Sequence, residues 1–334
     1  MGRFVVKRLL QLVPTLFGLS VLLFIWPRQL PGGPETALLG DRGTPEQLAL
    51  IRRSLGLDEP LIVQYGRFWQ RLIHLDLGTS ISTKRPVLTE FADRFPATAE
   101  LTLTAMIIAV GVGIPLGYLA AKRRGSFLDQ LSVGGSLIGI TIPIFFLGYV
   151  LKAVAAEHLG WFPSIGRQDP TMDATHVTGF YVLDGLLTRE WDASLNALWH
   201  LVLPGLTLAS IPLAAIVRIT RASVIEVLGA EHVRTAEAKG LTDRVLRGRH
   251  VLRNAMLPVS TTIGLLTGSL LSGAVLTETV FAFAGIGAFL AQAIAELDYP
   301  VLMGFILIIA LIYVLVNLVV DVSYGLIDPR IRVR

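Results

Sequence analysis

The apolar stretch LVLPGLTLASIPLAAIV, at Leu201–Val217, is followed after a short interval by RTAEAKGLTDRVLRGRHVLRNAMLP, at Arg234–Pro258, and then by a second long apolar stretch. The segment between the two apolar stretches, residues 218–258, carries eight Lys/Arg and four Asp/Glu, which are too many charges for a hydrocarbon environment. Strong helix formers stand on both sides of Gly240. We therefore predict a helix–glycine–helix element in an aqueous loop of a membrane protein, where it would form a docking surface for a soluble partner.

Composition indicates that lipid surrounds most of this chain. Of its 334 residues, 53% are apolar and 16% are charged, whereas soluble domains carry about 25% charged residues. A helix of about 20 apolar residues crosses a bilayer core about 30 Å thick, and lipid offers no partner for free backbone N–H and C=O groups. We therefore predict an all-α, polytopic transmembrane bundle. Its six predicted spans are Leu9–Trp26, Leu101–Ala121, Leu131–Leu151, Leu201–Val217, Leu257–Phe283 and Val301–Val320.

Basic residues are concentrated in alternate loops. Lys122–Arg124 follow the second span, and eight basic residues lie in the loop after the fourth. Residues 156–199 have two Arg against six acidic residues, and residues 284–299 have no Lys/Arg. This asymmetry predicts that both termini face the cytoplasm. It also attributes the net charge of +4 to membrane orientation, so we expect contact with membrane lipid and no nucleic-acid partner.

The segment 28–97, between the first two predicted spans, is expected to lie outside the cytoplasm, since long loops translocate regardless of their charge. Tyr65, Phe68, Trp69 and Leu72 recur at helical spacing and predict a helix with one apolar face. Two interpretations remain open: an outward subdomain that meets a partner or covers the mouth of a pathway, or helices that lie on the bilayer surface. Turn residues at 31–34 favour the subdomain.

Small residues and prolines interrupt several spans. Three GxxxG pairs allow close helix approach in lipid: Gly113/Gly117, Gly135/Gly139 and Gly264/Gly268. The third pair predicts a tight helix crossing, within this chain or with a second subunit. Mid-span prolines predict kinks, and they stand at Pro115, Pro143, Pro204 and Pro212.

No catalytic motif is present. The chain has no GxxxxGK[ST], HExxH or GxSxG sequence and no cysteine, and its six histidines form no i, i+4 pair. We therefore predict no catalytic residue, no metal site and no cofactor on this chain. Glu278 is the one ionisable group predicted inside a span away from its ends. It either lines a substrate path or is a structural carboxylate bonded to Thr277, Thr279 or a neighbouring helix.

The stretch at Arg234–Pro258 resembles the EAA loop of binding-protein-dependent ABC importer permeases, in the form found in the peptide and nickel group. Gly240 matches the glycine of that motif and Leu257-Pro258 its closing Leu-Pro, whereas Arg234 and Thr235 depart from its Glu-Ala. The resemblance covers nearly the whole chain, and dipeptide permeases are the most similar group. It is carried by RLLQLVPTLFGLSVLLF (8–24), RFPATAEL (94–101), IPLAAIVRITRASVIEVLG (211–229), GAVLTETVFAFAGIG (273–287) and VNLVVDVSYGLIDPRIR (316–332).

The resemblance implies a single type I permease domain over residues 1–334, with six transmembrane helices, in the bacterial inner membrane. It implies a second homologous permease subunit, two ATPase subunits that carry ATP and Mg, and an extracytoplasmic binding protein that delivers dipeptides or short peptides. Nickel, glutathione and haem-type ligands remain alternative substrates. Outside this class, a proton-coupled secondary transporter would need paired ionisable groups in several spans, and a receptor or scaffold would need only the docking loop.

The resemblance also implies which residues act. The short helices beside Gly240 would contact the ATPase subunits. The predicted coupling residues are Arg234, Thr235, Ala236, Glu237, Ala238, Lys239, Gly240, Leu241, Thr242, Asp243, Arg244 and Arg247. A second set is predicted for the translocation path or a helix interface: Gly264, Gly268, Ser272, Gly273, Thr277 and Glu278.

Overall fold

The computed structural model describes residues 2–29, 44–54, 56–271 and 274–327, and it confirms the all-α prediction. Within those ranges the one β contact is an isolated bridge between Thr79 and Pro86. The helices are α1 (Gly2–Ile25), α2 (Pro45–Ser54), α3 (Leu61–Ile73), α4 (Val87–Lys122), α5 (Phe127–Thr141), α6 (Ile144–His158), α7 (Tyr181–Thr188), α8 (Trp191–Leu228), α9 (Glu231–Ala238), α10 (Asp243–Leu271), α11 (Val275–Val280), α12 (Ile286–Ala295) and α13 (Tyr299–Ile327).

The centre of the bundle is the pair formed by α4 and α8. These helices are parallel, because Gly205 packs on Thr104, and farther along both helices Gly113 packs on Ile216. At Gly117 an added Cβ would lie 2.6 Å from the carbonyl oxygen of Val217, so only glycine permits this approach. The close crossing predicted at the first GxxxG pair is therefore present, and it buries alanines and leucines of both helices.

The third predicted span is not a single straight helix. Helices α5 and α6 meet at a bend of 101° around Ile142 and Pro143. Pro143 cannot donate a backbone hydrogen bond, and a residue that precedes proline avoids the helical region, so α5 ends at Thr141. The prediction of an uninterrupted span over Leu131–Leu151 is wrong for this reason.

The fifth predicted span is also divided. Helix α10 begins in the charged loop at Asp243 and ends at Leu271, and the short helix α11 follows as a separate element. Four helices of the described chain are long and apolar enough to cross a membrane, namely α4, α8, α10 and α13, and the bent α5–α6 pair makes a fifth. The apolar part of α1, Val13–Ile25, is shorter. The number of six spans stays a prediction.

The predicted apolar face of α3 packs on α1. Tyr65 Oη lies 2.8 Å from Ser20 Oγ, and the Trp69 ring stacks on Phe17 with centroids 6.5 Å apart. Arg28 donates to Gln64 Oε1 at 2.8 Å, so the two helices are antiparallel. Because α3 runs beside the outer half of α1, the structure favours a helix held at the bilayer over a projecting subdomain. The turn predicted at 31–34 lies outside the described residues.

The end of the predicted 28–97 segment differs from the prediction, since α4 already begins at Val87, directly after Pro86. The loop before it is fastened by the buried carboxylate of Asp298, which precedes α13. Asp298 accepts hydrogen bonds from Ser80 Oγ at 2.6 Å, from Ser82 Oγ at 3.0 Å and from Ser82 N at 3.1 Å. Burial alone would raise the pKa of Asp298, but these hydrogen bonds outweigh it and hold the pKa below its ordinary value.

Candidate functional site

Helix α9 lies against the ends of α4 and α8 that carry the charged loop. Its inward residues, Val233 and Ala236, are 3% and 6% exposed. They belong to a buried cluster that contains Ala121 at the end of α4 and Val224 near the end of α8, together with three residues of α10. A force applied to α9 is therefore transmitted through packed side chains to the two central helices.

Gly240 ends α9 in a Schellman motif. Its φ of +74° lies in the left-handed region, where residues with a Cβ are strained. The N–H of Gly240 bonds to the Glu237 carbonyl at 2.9 Å, and the N–H of Leu241 bonds to the Ala236 carbonyl at 3.4 Å. The helix–glycine–helix element is therefore present, because the chain turns at Gly240 and α10 begins three residues later. An added Cβ at Gly240 would meet nothing within 4 Å, so this turn is open to a partner.

The outer side of this element is exposed and mostly basic. Of the predicted coupling residues, the exposed ones are Arg234, Thr235, Glu237, Ala238, Lys239, Gly240, Leu241, Thr242, Asp243 and Arg244. Arg247 is partly buried and forms an ion pair with Asp243, one turn earlier in α10. Ala236 differs from the others, because it faces the buried cluster and supports the surface from below. The exposed set is called the docking surface here.

An ion pair that the sequence analysis did not anticipate braces the same side of the bundle. Arg221 of α8 donates to Asp129 of α5, with Nη2 2.9 Å from Oδ2. Asp129 also accepts from the N–H of Gly125 at 2.9 Å, so it fixes the turn between α4 and α5. A signal for this pair was present, since an acid and a base each stand near the predicted inner end of an apolar segment.

Glu278 has the structural role. Its carboxylate lies at the start of α12, where Ala288 N donates to Oε2 at 2.8 Å. Thr98 of α4 donates to Oε1 at 2.6 Å and accepts from Ile286 N at 2.9 Å. The backbone N–H of Gly287 also bonds to Glu278. Thr98 and Glu278 thus satisfy the first free N–H groups of α12, which no residue of that helix could do.

The sequence AGIG, at 284–287, explains why this carboxylate fits. A Cβ at Gly285 would lie 2.5 Å from Glu278 Oε1, and one at Gly287 would lie 2.8 Å from Val275 N. Of the two interpretations of Glu278, the contacts support hydrogen bonding to a neighbouring helix, through Thr98 in place of Thr277 or Thr279. The Thr277 hydroxyl is buried and has no hydrogen-bond partner among the described residues.

The remaining residues of the second predicted set lie apart from Glu278. Gly268 packs on the ring of Tyr313, with an added Cβ 3.0 Å from it, so the predicted tight crossing occurs between α10 and α13. Gly264 and Thr267 line an apolar groove of about 440 Å³ between the same two helices, with Ile312 and Val316 on the opposite side. Ser272 and Gly273 lie outside the described residues.

Comparison with known proteins then identifies the family. Residues 113–333 match the family described as "Binding-protein-dependent transport system inner membrane component", and residues 1–102 match the N-terminal region of such membrane components. The chain belongs to this family. As one of its members, it is a multi-pass inner membrane subunit of a transport system, and the resemblance inferred from the sequence is confirmed.

Full-length relatives are also similar to this family member. The dipeptide transport system permease protein DppB of Escherichia coli (strain K12) is 44% identical over 336 residues, which cover 99% of both chains. The di/tripeptide transport system permease protein DppB of Pseudomonas aeruginosa is 45% identical over 330 residues, 98% of both chains. The glutathione transport system permease protein GsiC of Escherichia coli O6:H1 is 39% identical over 332 residues, 99% of both chains.

Proposed function

We propose that this chain is the permease subunit of an ATP-driven importer that takes up dipeptides or short peptides delivered by an extracytoplasmic binding protein. Full-length similarity to dipeptide permeases supports the substrate class. The docking surface supports the energy source, since it presents exposed basic side chains on a helix whose other face is packed on α4 and α8. This surface is the observation that carries the proposal.

The proposed complex contains a second, homologous permease subunit and two ATPase subunits, which carry ATP and Mg. Each ATPase would receive one docking surface in a groove. When the ATPases close on ATP, they push α9, and the buried cluster passes that motion to α4 and α8. The permease pair then opens outward to accept the peptide from the binding protein, and hydrolysis returns it to the inward-facing state. This chain contributes motion and a path, and the ATPase subunits contribute the chemistry.

Reconstitution tests the proposal. Proteoliposomes that hold both permease subunits and both ATPases should accumulate a radiolabelled dipeptide only with the binding protein outside and ATP inside. This chain purified alone should hydrolyse ATP only at background rate. Uptake driven by a proton gradient without the ATPases would indicate a secondary transporter, and the absence of uptake despite ATPase binding would indicate a scaffold.

Glutathione is the second candidate substrate, because a glutathione permease is 39% identical to this chain along its full length. Competition separates the two substrates in the same proteoliposomes. Excess unlabelled dipeptide should suppress uptake of the labelled dipeptide, and excess glutathione, nickel or haem should leave it unchanged. Suppression by glutathione alone would transfer the proposal to that tripeptide.

A further inference from the structure

One short segment of α4, Thr98–Glu100, holds two outer elements by the first N–H groups of their helices. Thr98 binds the start of α12, together with Glu278, as described above. Two residues later, Glu100 Oε1 accepts a hydrogen bond from Val182 N, in the first turn of α7, at 2.9 Å. The other carboxylate oxygen, Oε2, accepts from Arg167 Nη2 at 2.7 Å. The motif RFPATAEL, which carried part of the family resemblance, is thus a junction of three elements.

The α7 side of this junction is built around Arg167. Its guanidinium lies 3.7 Å from the centre of the Tyr181 ring and donates to the Gly179 carbonyl at 2.7 Å. The side chains of Arg167 and Glu100 are only 10% and 8% exposed, so the ion pair is buried. Arg167 Nε is also buried and has no hydrogen-bond partner among the described residues. The contacts between Glu100, Arg167 and Gly179–Val182 are called the outer latch here.

The two sides of the junction differ in the cost of opening them. Separating Thr98 from Glu278 would leave a fully buried carboxylate and several N–H groups of α12 without partners, which is strongly unfavourable. Separating Glu100 from Arg167 would return two charges to water from a site at the edge of the fold. Hydration then offsets much of the lost attraction, because the desolvation penalty of a buried ion pair is comparable to its Coulomb energy.

We propose that Glu100 and Arg167 are positioning residues for transport: they hold the outer latch closed in the resting state, and the latch separates when the pathway opens outward. The Thr98–Glu278 side stays closed and acts as the fixed point. This inference rests on the proposed function, since it assigns a structural event to the outward-opening step. It predicts that locking the latch and weakening it have opposite effects on ATP hydrolysis by the complete complex.

A disulfide locks the latch. A Cβ built at Gly179 lies 3.6 Å from Pro96 Cβ, within the range that a disulfide requires, and the chain has no other cysteine. In the variant Pro96→Cys/Gly179→Cys, oxidation should cross-link the two residues, abolish dipeptide uptake and abolish stimulation of ATP hydrolysis by the binding protein. A reductant should restore both, and each single-cysteine variant should be insensitive to oxidant.

Removing the ion pair weakens the latch. Glu100→Gln keeps an acceptor for Val182 N but loses the charge opposite Arg167. We expect ATP hydrolysis without binding protein to rise by about 5-fold or more, within the range of coupling between distant sites. Thr98→Val, on the fixed side, is the matched control, and it should reduce the amount of folded protein without raising this basal rate. A merely structural ion pair would make Glu100→Gln behave like Thr98→Val.

The outcomes separate the two proposals. If the reduced double-cysteine variant transports dipeptide and the fully oxidised one does so equally well, the latch does not open during transport and the inference is wrong, while the proposed function stands. A complex that shows no ATP-dependent uptake in any redox state, with the unaltered chain behaving identically, contradicts the proposed function itself. Failure of the cysteine pair to cross-link in resting membranes would contradict the closed latch.

Discussion

At the scale of single residues, Gly240 combines a local and an external requirement. Its left-handed backbone ends α9, and its open surroundings leave room for another chain. These requirements can be separated, because asparagine and aspartate have nearly the same shape and both tolerate the left-handed region better than other residues with a side chain.

We expect Gly240→Asn to retain most binding-protein-stimulated ATPase activity and uptake, and Gly240→Asp to lose both at normal abundance. The negative charge would stand at a helix C-terminus and in the proposed ATPase contact, where it is unfavourable. Gly240→Ala should cost about 1 kcal/mol of local stability, with a proportionate loss of uptake. Uptake and co-purification of the ATPases are the measurements. Full uptake by Gly240→Asp would show that this turn does not contact the ATPase.

Asp298 makes the outer loop sensitive to acid. Its pKa in the folded protein is lowered, so its contribution to stability is complete above the ordinary aspartate value of about 4. That contribution is lost as the pH falls below this value and through the lowered native pKa. Hydrogen exchange at Ser80 and Ser82 should therefore accelerate on acidification across this window. Asp298→Asn should exchange rapidly at neutral pH already; a variant that stays protected would show that the carboxylate does not fasten the loop.

At the scale of helices, α4 offers two glycines that face different surroundings. Gly117 touches the backbone of α8, whereas Gly111, less than two turns away, has no atom within 4 Å of an added Cβ. Gly117→Ala should therefore destabilise the folded protein by about 1–3 kcal/mol, the usual cost of overpacking. Gly111→Ala should leave stability unchanged. Thermal unfolding in detergent measures the difference, and equal midpoints for the two variants would contradict the tight α4–α8 contact.

Helices were predictable from the sequence where hydrophobicity alone determines them, and less so where contacts between distant residues do. The apolar stretches that became α4, α8 and α13 were identified, as was the glycine turn after α9. The bend at Pro143 was expected only as a kink, because a proline signals a break but not its angle. The role of Glu278 depended on Thr98, 180 residues away in the chain. The ion pair between Glu100 and Arg167 likewise joins elements whose contact no local pattern encodes.

At the scale of the whole molecule, the orientation across the membrane is the prediction with the widest reach. Thr175 lies in the acidic loop and Thr242 in the docking surface, and both are exposed. The chain has no cysteine, so single substitutions give an unambiguous signal. An impermeant thiol reagent applied to intact spheroplasts should label Thr175→Cys and not Thr242→Cys, and permeabilised cells should label both. Labelling of Thr242→Cys from outside would reverse the orientation.

During synthesis, α5 and α6 reach the membrane as two apolar pieces that are each about 22 Å long, shorter than a hydrocarbon core of about 30 Å. Neither piece can anchor itself, so both depend on α8, which is translated later: Gly139 of α5 approaches Ser210, and Gly148 of α6 approaches Thr207. A nascent chain that ends at His158 should therefore be extracted from membranes by alkaline carbonate more readily, and be degraded faster, than one that ends at Leu228. We expect this span to become stably integrated only after α8 has been made.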